Sequence, residues 1–135
     1  MVFSLAMLVA RLAGDHLVAW TGALAVLFLG GLTTTAGIAV ALVASGLPVA
    51  LVGFVLIGLG AGNLVPVLFS AAGRQKVMPP GIAIAAVTTT GYAGLLVGPA
   101  LVGFLSDAFS LTTAFWALAC LMLTVPACAR WVGRL

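Results

Sequence analysis

From Leu17 to Gly73 the chain reads LVAWTGALAVLFLGGLTTTAGIAVALVASGLPVALVGFVLIGLGAGNLVPVLFSAAG, a run of 57 residues without Asp, Glu, Lys or Arg. About 20 apolar residues at helical rise cross a hydrocarbon core of about 30 Å, so this run is too long for one crossing and must fold back. Its natural break is Ser45-Gly46-Leu47-Pro48, a small-residue turn ending in a proline suited to open the next helix. Working outward, the uncharged runs 77–106 and 108–129 hold one further crossing each. None of these runs alternates apolar and polar residues as barrel strands do. The spacing predicts an all-α integral membrane fold with four complete transmembrane helices near 22–44, 48–72, 81–105 and 111–132, in one membrane domain over 1–135.

Composition agrees. Of 135 residues, 64% are hydrophobic and 5% charged, and mean hydropathy is +1.39. A soluble domain carries about 25% charged residues, so this chain cannot cover a water-facing surface. A soluble enzyme is excluded on that ground, and disorder by the high hydrophobicity. The net charge of +3 is scattered and forms no basic face, which argues against nucleic acid as a partner. The expected partner is the lipid bilayer.

The first segment differs. Met1 to Ala10 is apolar but covers only about 15 Å as a helix, and Arg11-Leu12-Ala13-Gly14-Asp15-His16 follows it. A signal peptide carries its positive charge before the apolar stretch, not after it. The segment therefore reads as a short interfacial helix or, preferred, as a truncated spanning helix near 1–14, part of something larger. Arg11, Arg74, Lys76, Arg130 and Arg134 all fall on one side of this arrangement, which the positive-inside rule assigns to the cytoplasm. That places the C-terminus in the cytoplasm, the chain as multi-pass in the cytoplasmic (inner) membrane, and Asp107 on the opposite face. No acid or base is expected in the middle of any helix, so a proton carrier is not expected here.

Three stretches carry a resemblance. Arg11 to Val18 with Gly22, Gly58-Leu59-Gly60-Ala61-Gly62-Asn63-Leu64-Val65-Pro66, and Gly91-Tyr92-Ala93-Gly94-Leu95-Leu96-Val97-Gly98-Pro99 with Gly103 to Asp107 succeed one another in order. Together they resemble the C-terminal portion of a bacterial major facilitator superfamily transporter, from the end of its eighth helix to its twelfth. The resemblance implies a secondary active transporter of a small solute working by alternating access, with about a third of its helices present. It implies that Arg11, Gly14, Asp15 and Gly22 belong to a gating loop motif. His16 stands where that motif has a basic residue, and Ala23-Leu24 where it has two more, so the charged latch is depleted.

Within the helices, Asn63 falls near mid-membrane, where an unpaired amide is costly. At 100° per residue Ser70 and Arg74 return to within about 20° of it, giving a polar stripe toward one mouth. This stripe reads as a solute-cavity wall, or else as interhelical hydrogen bonding worth about 0.6 kcal/mol. Thr88 and Tyr92, with Ser106, form a second stripe that reads equally as cavity or as packing. Gly91, Gly94 and Gly98 should let another helix approach, as should Gly58 and Gly62. Pro66 and Gly98-Pro99 are expected kinks. Thr33 to Thr35 and Thr88 to Thr90 should bond to their preceding turns, the first set on a peripheral helix. Trp20 and Trp131 read as interfacial anchors.

Cys120 and Cys128 are about 12 Å apart along one helix, too far for a disulfide. With His16 isolated, no metal site and no cofactor is expected. The acids Asp15 and Asp107 lie at opposite faces, which argues against catalysis. The expected function is a transporter fragment inactive alone, its partners the missing N-terminal helices and a small-molecule solute. The alternatives are a small homo-oligomeric membrane transporter and a non-transporting membrane subunit.

Overall fold

The computed structural model describes residues 1–132, except the side chains of 131 and 132; Arg134 and the side chain of Trp131 lie outside the described residues. Among the described residues seven helices follow in order: α1 (Val2–Thr21), α2 (Ala23–Val43), α3 (Leu47–Ala61), α4 (Leu64–Arg74), α5 (Pro80–Ala108), α6 (Leu111–Met122) and α7 (Thr124–Val132). The pairs α3/α4 and α6/α7 each make one span, so five spans among the described residues are long and apolar enough to cross a membrane. The protein is an all-helical bundle of membrane-spanning segments, as its uncharged runs predict.

Prolines explain both interrupted spans. Pro66 and Pro126 each stand third in the segment after a break. A proline there offers no N–H to the carbonyl four residues back, and its ring crowds that carbonyl. The helix therefore stops at Ala61 and at Met122, and restarts. In place of the kink expected at Pro66 the span breaks outright just upstream of it, whereas α5 continues as a helix through Gly98-Pro99 to Ala108. Ser110 begins α6 by accepting a 3.1 Å hydrogen bond from Thr113 N, the usual work of an N-cap hydroxyl.

The first helix departs from expectation. Instead of ending near residue 14, α1 runs for 20 residues to Thr21 and turns at Gly22. Nothing between Gly14 and Thr21 breaks a helix, so the charged motif is absorbed into it. Arg11 and Asp15 consequently sit inside a span on its exposed side, against the expectation of helix interiors without charge. Gly22 has φ +88° and ψ 159°, a region essentially reserved for glycine. That single residue reverses the chain between α1 and α2.

Close backbone approach holds α1, α2 and α3 together. A Cβ on Gly53 would lie 2.7 Å from Ala41 N, and one on Gly37 would lie 2.7 Å from Gly53 O. One on Gly60 would overlap Thr34 Oγ1 and reach within 2.6 Å of Gly30 O. Gly58 meets Phe3, Ala6 and Met7, and Gly62 meets Met7 and Ala10, so the pair does admit a neighbouring helix. These contacts make α1 and α3 parallel, with α2 antiparallel to both. Far from peripheral, α2 touches α1, α3, α4, α6 and α7. Its threonines bond to the preceding turn, Thr33 to Leu29 O, Thr34 to Gly30 O and Thr35 to Gly31 O.

Candidate functional site

A cavity of about 670 Å³ lies between α4 and α5. Val65, Leu68 and Phe69 form its α4 wall; Val87, Thr88, Gly91, Tyr92 and Leu95 are among the α5 residues facing them. The α4 wall follows from spacing, since residues 65, 68 and 69 share one helical face. On α5, Thr88 Oγ1 donates to Ile84 O at 2.8 Å and Thr90 Oγ1 to Ala86 O at 2.8 Å. Their hydroxyl protons are thereby turned back on their own helix. Tyr92, 64% exposed, presents a phenol to the same space. No lining residue is charged, so the cavity offers apolar surface and a few hydroxyls.

Of the four residues expected to line a solute cavity, Thr88 and Tyr92 meet here. Asn63 and Ser70 do not line it. Ser70 is exposed on α4, its carbonyl accepting a long 3.4 Å contact from Arg74 Nε. Asn63 is buried, with 5% exposure, and turns toward α1, where its Nδ2 donates to Ala10 O at 2.7 Å. The physical reason is that a buried amide needs a partner, and the α1 backbone is within reach. Interhelical hydrogen bonding, the other reading of Asn63, is what its side chain does.

The loop-motif residues separate into different roles. Gly14 is buried against the Asn63 side chain, Gly22 forms the turn, and Arg11 and Asp15 are exposed. Arg11 stands about 16 Å from that turn along α1, so it leaves the end where the other basic groups gather. Val26, Leu27, Leu64, Val67 and Ala129 form a buried cluster between α2, α4 and α7, and the Arg130 guanidinium lies 5.9 Å from the centroid of the Phe28 ring. A methyl added at Gly94 or Gly98 would meet nothing within 4 Å, and the same holds for Gly91 beside the cavity. Sequence reasoning passes over Val65, Leu68, Phe69 and Leu95 because an apolar lining residue has no polar signature in a membrane helix. Cys120 and Cys128 are free and exposed.

A multi-pass helical membrane protein with a cavity between two of its spans is the class these features define. Comparison with known proteins narrows it. Over 133 residues, 98% of the chain, it is 48% identical to an uncharacterized MFS-type transporter of Yersinia pestis, of which it covers 35%. It is 35% identical over 112 residues to the membrane protein MosC of Rhizobium meliloti, covering 83% of the chain and 28% of that protein. It is also 35% identical to an uncharacterized transporter of Sinorhizobium fredii, over 86% of the chain and 31% of the relative. The chain thus spans about a third of the length of the curated relatives it matches. No family model matches the chain, and no solved structure matches it. The resemblance to major facilitator superfamily transporters is borne out: nearly the whole chain is related to part of a protein of that name.

Proposed function

We propose that these residues form part of the C-terminal half of a major facilitator-type secondary transporter, moving a small solute across the bacterial cytoplasmic membrane by alternating access. The observation that carries this reading is the 48% identity to an MFS-type transporter along 98% of the chain, at only 35% of the relative's length. In such transporters two helical bundles rock about a central site. The α4–α5 cavity is the part of that site this chain contributes, with Tyr92 as its polar contact. Arg74, Lys76 and Arg130 mark the cytoplasmic end by the positive-inside rule. Without the opposing bundle the chain does not transport by itself, and no residue in it is assigned a catalytic role.

Two measurements test this. A tag after Leu135 in the source cell should reveal a membrane product near three times 13.5 kDa. A product at 13.5 kDa would sink the reading. In a background with Cys120→Ala and Cys128→Ala, Thr88→Cys and Tyr92→Cys should react with a membrane-impermeant thiol reagent in native membranes. Protection equal to that of Leu29→Cys, on an exposed face of α2, would remove the aqueous cavity. The second reading, a homo-oligomeric transporter, draws support from the open glycine face of α5, where a second copy would pack. Crosslinking of Gly94→Cys between copies of a 13.5 kDa product would favour it.

A further inference from the structure

The break between α3 and α4 holds a buried amide with an unusual assignment. Asn63 occupies the N-cap position of α4, with φ −103° and ψ −7°. An asparagine at this position ordinarily accepts a hydrogen bond from the backbone N–H two or three residues on. Here the third residue on is Pro66, which has no N–H, and Asn63 makes no cap bond. One proline therefore has two effects: it breaks the span and it removes a local partner for the asparagine.

The released side chain crosses to α1. Its Nδ2 donates to Ala10 O at 2.7 Å; because a carbonyl only accepts, the amide must present its nitrogen there. Its Oδ1 then rests over Gly14. A Cβ at Gly14 would overlap Oδ1 and lie 2.9 Å from Cγ and 3.4 Å from Nδ2. The glycine is the socket, and the amide fills it.

We infer that the Asn63–Gly14 contact is a positioning device: it anchors the start of α4 on α1 and so sets the place of the cavity wall carried by Val65, Leu68 and Phe69. The inference rests on the cavity reading for its functional meaning. The joint itself is a matter of geometry, and the experiment reads geometry. Val65 is two residues from the joint and Phe69 six, so rotation of α4 there displaces the wall while α1–α3 stay packed through their own glycines. Asn63 is thus assigned a role through another element instead of contact with solute.

The test places spin labels at Leu12→Cys on α1 and Ser70→Cys on α4, both exposed, in the full 135-residue chain in nanodiscs with Cys120→Ala and Cys128→Ala. The expected distance distribution is single and narrow. Asn63→Ala should broaden it and shift its centre, and Gly14→Ala should shift it as well. With Asn63→Ala present, Gly14→Ala should add nothing, because the atom it overlaps is gone. Pro66→Ala provides a second route that keeps the socket intact. It returns an N–H to the joint, closes the helix toward Gly62 O and should also move α4. An unchanged distribution in folded Asn63→Ala, or in Pro66→Ala should Asn63→Ala not fold, overturns the inference. So does full additivity of the 14 and 63 substitutions. Because no solute is involved, failure of the transporter reading leaves this result standing, and the reverse also holds.

Discussion

The glycines of α1–α3 and those of α5 look alike in the sequence and behave in opposite ways. In the first region, a methyl added at 37, 53, 58, 60 or 62 would meet backbone or side-chain atoms of a neighbouring helix well inside van der Waals distance. On α5, a methyl at 91, 94, 98 or 103 would meet nothing within 4 Å. Only 6% of the α5 span's most apolar window is buried, against 39% for Leu47–Arg74. The difference teaches that small residues permit close approach but do not create it. Helix association in a bilayer needs a matching surface as well, since lipid tails already satisfy apolar side chains.

The largest effect should come from breaking the tight region. Gly60→Val would drive a branched side chain into the Gly30 carbonyl and Thr34, and overpacking of this kind costs about 1–3 kcal/mol or more. Unfolding in mild detergent should show a large loss of cooperative stability; wild-type behaviour would mean that α2 and α3 do not meet there. Gly22→Ala comes next. Its side chain has room, but the conformation is strained, by about 1–3 kcal/mol, and amide exchange in the adjoining turns of α1 and α2 should quicken. Ser110→Ala removes the N-cap of α6, the helix that links α5 to the packed core, at about 1 kcal/mol. Fraying of the first turn of α6 by amide exchange would register it.

The smallest effect in this chain should be Gly94→Val, within about 0.5 kcal/mol as for an exposed site. A valine at the equivalent position of the longer Yersinia pestis relative sharpens the comparison. If the opposing helices of a transporter pack on α5, accumulation of the folded relative in membranes should fall sharply there, while the 135-residue chain is unaffected. Equal tolerance in both would leave the α5 glycine face without a partner.

How much of this is legible depends on the kind of signal. The spans around 22–44, 81–105 and 111–132 are readable because a long uncharged run has few alternatives in a bilayer. The end of α1 is not, because the charge, glycine and weak helix formers of Arg11 to His16 mark a loop, yet no proline interrupts the helix before Gly22, and Ala10 and Gly14 pack against Asn63 within it. The place of α2 escapes the sequence for a related reason. Its pattern shows small residues on one side, but which helices press on them is a matter of tertiary arrangement. For the site, Thr88 and Tyr92 are visible as polar residues in an apolar helix. Their apolar partners on α4 are not.

Asn63 marks the boundary between the two levels most clearly. The sequence by itself determined that the chain crosses a membrane as helices, because unpaired backbone groups cannot be left in hydrocarbon. It also determined that a mid-span amide would need a partner and that proline would disturb the helix beside it. Only the tertiary structure decided that the partner is the Ala10 carbonyl, reached through the space Gly14 leaves open. A hydrogen bond across 53 residues of chain is specified by how helices pack, and no local pattern encodes that distance.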